Sequence, residues 1–204
     1  MTTLLESLPP DARRRLVERE RQVAQDPTRI RALFPAAARD VGRTPASTDP
    51  GIERIEDDVR GLLLDALTIS LPDPDARSAE VHDLYRFGDA DERRAVLHAL
   101  HRLDLGDRAT DLVHDGLRTN DARLVAAALG PYGAEVLDDH AWRQGVLKCL
   151  FTGVPIAVID RFDERADAQL AAMVAAYADE RESAGREVPD DARTILADHT
   201  SRES

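Results

Sequence analysis

Apolar residues recur along this chain at i, i+3, i+4 and i+7, with no run of strict alternation. That period gathers them on one stripe of an α-helix and scatters them over both faces of a strand, so the chain is predicted to be all-α. Ile30, Leu33, Phe34, Ala37 and Val41 make one stripe; Ile52, Ile55, Val59, Leu62, Leu63, Ala66 and Leu67 make the next. Val81, Leu84 and Tyr85 continue the pattern, as do Val96, Leu97, Leu100 and Leu103, then Leu170, Met173, Val174 and Tyr177. The dominant residues, alanine, leucine, arginine, aspartate and glutamate, favour helices as a mix.

Start and stop signals place about ten helices, at 10–24, 27–40, 51–69, 75–87, 90–103, 107–117, 121–129, 139–152, 166–183 and 189–199. Asp26-Pro27 and Asp73-Pro74 each set an N-cap acceptor before a first-turn proline. Asp89 caps the helix after Gly88, and Asn120 is read as the cap of another. Gly106, Gly116 and Gly130 fall where helices should stop. Residues 42–51, with glycines, prolines, serine and threonines, read as a linker. It divides an N-terminal helical pair (1–41), expected to dock loosely through a thin stripe of Ala12, Leu16 and Val23, from a main domain over 52–200. Two similar helix starts, at Asp91 and Asp121, suggest HEAT-like stacked helical hairpins. An irregular helical bundle fits the same pattern.

The chain has 39 acidic against 27 basic residues, a net charge of -12. Such a chain is ill suited to neutralising phosphates, so no nucleic acid is expected as a partner, and simple attraction to anionic lipid is disfavoured too. Its single cysteine, Cys149, allows neither an internal disulfide nor a multi-cysteine zinc site. The N-terminus lacks the layout of a signal peptide, and no apolar stretch has the length of an integral membrane segment. The expectation is a soluble, cytoplasmic protein.

One lysine, Lys148, stands among twenty-six arginines, inside the run Trp142-Arg143-Gln144-Gly145-Val146-Leu147-Lys148-Cys149-Leu150-Phe151. An ammonium on a flexible stem can lose its proton when desolvated and can form a Schiff base, which a guanidinium cannot. On a helical wheel Gln144 and Thr152 fall about 40° to either side of Lys148, and the bulky apolar groups take the opposite face. His140 and the small residues Ala141 and Gly145 flank this stripe. Two readings stand. The stripe meets solvent with a snorkelling lysine, or it floors a pocket in which His140 carries protons and Lys148 meets an anion or carbonyl. Cys149 points away and reads as a buried, inert thiol.

Other residues carry less. His98 and His101 lie one turn apart but off the apolar face, and read as an exposed pair. No phosphate loop, nucleophile elbow or zinc spacing is present, so no cofactor is implied. Arg86, in Leu84-Tyr85-Arg86-Phe87-Gly88-Asp89, and Arg118, in Arg118-Thr119-Asn120, sit at helix corners where a guanidinium can fork an anionic group.

These segments, in order, are similar to the EboA family: Leu84 to Asp89, Arg118-Thr119-Asn120, Pro131-Tyr132, Gln144 with Val146-Leu147-Lys148 and Leu150-Phe151, then Tyr177 to Arg181 and Ala184-Gly185-Arg186. The resemblance covers roughly 52 to 200. It implies membership of a gene cluster for making or moving a secondary metabolite, alongside a prenyltransferase-like protein, a sugar-phosphate cyclase and metal-dependent barrel proteins. It assigns no reaction. It supports a pocket around Lys148, and it departs at Arg143 and Thr152, where the family pattern has asparagine.

The first expectation is therefore a protein that handles a small polar or anionic metabolite, with Lys148 and His140 as reacting groups and Gln144, Thr152, Arg86, Arg118 and Asn120 as contacts. The alternative is a non-enzymatic helical scaffold or adaptor that docks another protein of the same gene cluster.

Overall fold

The computed structural model describes residues 8–41 and 54–202, so the stretch 42–51 read as a linker lies outside the described residues, as does the start of the helix expected at 51. The described residues form twelve α-helices and no strand. They are α1 (Pro10–Gln25), α2 (Ile30–Val41), α3 (Ile55–Ser70), α4 (Pro74–Phe87), α5 (Ala90–Ala99) and α6 (Thr110–Arg118). Then follow α7 (Ala122–Ala128), α8 (Pro131–Val136), α9 (Asp139–Thr152), α10 (Phe162–Arg165), α11 (Ala168–Ser183) and α12 (Asp190–Arg202).

Aspartates cap five of these helices, because a short carboxylate satisfies first-turn N–H groups that have no partner within the helix. Asp73 accepts from Asp75 N and opens α4, with Pro74 in the first turn. Asp89 opens α5 through a reciprocal capping box with Glu92. Asp138 caps α9 by accepting from Ala141 N, and Asp167 caps α11 by accepting from Leu170 N. Asp26 with Pro27 starts a 3-10 turn that leads into α2.

Three expectations change. Asn120 is not a helix cap: Asp121 accepts from Arg123 N and takes that role, which frees the Asn120 side chain. Gly116 does not stop α6, which runs to Arg118; it is buried where α6 meets Leu97 and Ala128. Helices α8 and α10 were not anticipated. Neither spans two turns, so neither carries a periodic stripe.

Packing follows alternate helices. Helix α5 packs on α3, α7 on α5 and α9 on α7, while α4 and α6 lie beside α5 and α7. The result is a row of stacked hairpins without a regular repeat. Helix α7 is in the middle, and its Leu124 to Ala128 are all buried. Helices α1 and α2 lie on α3, and Val23, Ile30 and Phe34 belong to the same buried cluster as Leu63 and Leu67. Arg60 of α3 strengthens that contact. Its Nε donates to Phe34 O at 3.3 Å, and its guanidinium lies 5.7 Å over the Phe34 ring.

An ionic ladder, buried at Arg94 and Asp57 and half-buried beyond them, links α3, α5 and α7. Arg94 of α5, 3% exposed, forks Asp57 of α3 at 2.7 and 2.9 Å. Its third N–H reaches Asp91 at 2.8 Å. Asp91 also accepts from Arg123 of α7 at 2.9 Å, and Arg123 in turn donates to Asp121 at 2.7 Å. Planar guanidinium forks suit such desolvated carboxylates, because each fork satisfies two acceptor atoms at once.

Candidate functional site

Lys148 leaves α9 on the side away from the core. Trp142, Val146, Cys149 and Leu150 are buried on the other side. Its ammonium donates to Asn120 Oδ1 at 2.7 Å, across from α9 to the corner after α6. An ammonium has donors only, so the amide oxygen must face it. The corner can offer that oxygen because Asp121 has taken the capping task.

Lys148 borders an open cleft of about 560 Å³ between α6 and α9. From α6 come Asp111, His114, Leu117 and Arg118. From α9 come Ala141, Gln144, Gly145 and Lys148. Both sets repeat at three or four residues, so each is one stripe of its helix. Gly145 lets α9 settle onto the floor, since a Cβ there would come within 2.9 Å of Leu129 Cδ2 and 3.4 Å of Leu117 Cδ2.

Of the residues singled out from the sequence, Lys148, Gln144 and Arg118 line this cleft, and Asn120 holds the lysine. Arg118 also donates to Asp115 Oδ1 at 3.1 Å, and Tyr85 donates to the other oxygen of that carboxylate at 3.0 Å. Burial and the Asp115 charge together push the Tyr85 phenol up. The other three stand apart. Thr152 spends its hydroxyl on Lys148 O of its own helix, 2.8 Å away. His140 is exposed in the first turn of α9, outside the cleft. Arg86 is exposed at the end of α4, with its guanidinium 5.5 Å from the Phe87 ring. Arg143 pairs with Asp167, the N-cap of α11, through Nε at 3.0 Å.

Asp111, His114 and His82 were not picked out from the sequence. The spacing of Asp111, His114 and Arg118 on an amphipathic helix was the available signal, but it says nothing of what the stripe faces. His82 of α4 reaches Asp111 through Nε2 at 2.9 Å. Its Nδ1 meets Ser78 O at 2.7 Å. A carbonyl and a carboxylate both accept, so these two contacts favour the imidazolium, which donates from both ring nitrogens. Burial by itself lowers the His82 pKa, but the Asp111 and Ser78 hydrogen bonds and the Asp111 charge outweigh it, and the net direction is upward. A histidine raised in this way adds stability that is complete below its unfolded value of about 6.5 and is lost as the pH rises through the folded value. In a histidine NMR titration, His82 is expected to titrate above that reference in the wild type and to fall back in Asp111→Ala. No change between the two would show that Asp111 does not hold the ring.

Cys149 is fully buried, and burial, with some help from Asp191, pushes its thiol up to about 12, so it is the inert thiol expected. Among the described residues no group of three His, Cys, Asp or Glu side chains is arranged to hold a metal ion. Nor is any described helix long and apolar enough to cross a membrane.

These features define an all-α protein of stacked hairpins with an open cleft, mostly apolar in surface and bearing a few charged and polar groups, beside its sole lysine. The chain belongs to the EboA family: the family model described as metabolite traffic protein EboA matches residues 35–196. That range begins inside α2 and takes in both walls of the cleft. The family supports a metabolite-handling role. No curated protein and no solved structure matches the chain.

Proposed function

We propose that the protein binds a small anionic metabolite in the α6–α9 cleft, in the cytoplasm, as part of making or moving a secondary metabolite. The observation that carries this reading is the tether of Lys148 to Asn120. A free surface lysine samples many rotamers and loses that freedom only when something binds it. Here the ammonium is already held at the cleft edge, with Arg118 and Gln144 on the same cleft, so less order remains to be lost on binding. The role assigned to Lys148 is that of a fixed cation. His140 lies outside the cleft, so no proton carrier accompanies the lysine in this reading.

The test is a titration of the 15N-labelled full chain with inorganic phosphate and with short carboxylates, followed by amide shifts. Shifts centred on Gln144, Lys148 and Arg118 are expected. Lys148→Ala is expected to weaken binding roughly tenfold, about 1.4 kcal/mol, and Lys148→Arg to recover part of that loss. Shifts scattered elsewhere, or unchanged affinity in Lys148→Ala, would remove this site.

A further inference from the structure

The cleft has two chemically different ends. Lys148 meets Asn120, which follows the last turn of α6, so the lysine lies beside the Arg118 end of that helix. One turn back along both helices, a Cβ built at Gly145 of α9 would lie 3.4 Å from Leu117 Cδ2 of α6. The two helices therefore run in the same general direction along the cleft. One end carries the cations Lys148 and Arg118. The other carries Asp111, one of whose edges is already fixed by His82.

Seven residues separate Asp111 from Arg118, and seven separate Ala141 from Lys148. That is about 10 Å of helix axis in each wall. Between the ends lie the apolar Leu117 and Gly145 and the polar His114 and Gln144, with no carboxylate, lysine or arginine among them. Asp111 has carboxylate lone pairs beyond those that face His82, since two oxygens provide about four acceptor positions. It is the acidic group on a cleft whose other ionised groups are cationic.

We propose that the cleft selects a two-ended metabolite. An anionic group meets Lys148 and Arg118, and a hydrogen-bond-donating group, ammonium or hydroxyl, meets Asp111 roughly 10 Å away. This rests on the reading of the α6–α9 cleft as the binding site. Lys148 and Arg118 supply affinity for the anion. Asp111 supplies discrimination, because a distal donor exchanges water for a charge-assisted hydrogen bond to this exposed carboxylate, a bond that a plain acid cannot form.

The experiment uses the full chain and a series of terminal amino acids: glycine, aminobutanoate, aminohexanoate and aminooctanoate. Plain hexanoate and octanoate, and the matching hydroxy acid, are the controls, and affinities are read from amide shifts. The longer amino or hydroxy acids are expected to bind roughly fivefold tighter than the plain acids of equal length, while glycine gains nothing. In Asp111→Asn that advantage is expected to vanish. The length series needs no variant, so the result stands even if Asp111→Asn folds poorly. Equal binding of plain and two-ended acids at the cleft overturns this inference and leaves the anion site in place. No shift at the cleft with any carboxylate or with phosphate overturns both.

Discussion

Arg94→Met is expected to destabilise the protein by about 3–5 kcal/mol, the usual result of removing one partner from a buried ion pair. The methionine fills a similar volume, so the loss is electrostatic. Asp57, whose side chain is 10% exposed, loses the fork that satisfies both its oxygens. Asp91 loses one of its two guanidinium partners and keeps Arg123. Against a typical total of about 5–15 kcal/mol, the variant would be near unfolding. Urea denaturation measures the effect. Arg94→Lys should fall between the two, since a lysine keeps the charge but not the planar fork. A change below about 1 kcal/mol in Arg94→Met would mean the ladder contributes no more than a surface pair.

The same ladder sets an acid limit. At Asp91, burial raises the carboxyl pKa, but Arg94 and Arg123 outweigh it and hold the group below the ordinary carboxylate value. At Asp121 the Arg123 hydrogen bond is the leading cause of a similar lowering. A carboxyl lowered on folding contributes stability that is present above its unfolded value of about 3.9 and is lost as the pH falls through the folded value. Acid unfolding should therefore begin below that reference in the wild type. In Arg94→Met the transition should move to higher pH, because Asp91 loses the nearer guanidinium. Circular dichroism across an acid titration reads the shift.

Gly133→Ala is the second large effect, expected to cost about 3 kcal/mol or more through overpacking. A Cβ at this position would overlap the Ala128 carbonyl oxygen, come within 3.0 Å of the Ala128 carbonyl carbon and reach 3.4 Å from Val113 Cγ1. The obstacle is backbone, so no side chain can turn aside. Nor can α8 move away freely. Tyr132 pins it, donating to Gly106 O at 2.7 Å and accepting from Ala109 N at 3.1 Å. Gly153→Ala is the informative contrast. Gly153 ends α9 with φ 73, and nothing lies within 4 Å of a Cβ built there. Its cost should be only the left-handed conformation itself, about 1–2 kcal/mol. If the two substitutions proved equal, close approach would not be what requires glycine at 133.

The helices were legible because their information is local. A stripe at 3.6 residues and an aspartate before it name a helix and its start wherever the helix ends up. So Asp73, Asp89 and the Lys148-bearing helix 139–152 were all readable. Helix α8 was not, because six residues make no stripe and its tight seat against Ala128 involves a different element. Asn120 failed for a subtler reason. Asn120 and Asp121 are both good caps, and their order in the chain does not decide which is used. Only the fold, by placing Lys148 beside Asn120, separates them.

Sequence alone determined that the chain is helical, that Lys148 lies on a polar stripe with Gln144, and that Cys149 turns inward. All three follow from the geometry of one helix. Tertiary structure decided what each stripe faces. Arg94 reads as a surface residue until Asp57, thirty-seven positions away, is brought opposite it, and then burial becomes tolerable. Asp111 and His114 are ordinary surface residues until α6 is laid along α9. Burial of charge and the composition of a cleft are properties of pairs of elements, and a periodic pattern describes only one element at a time.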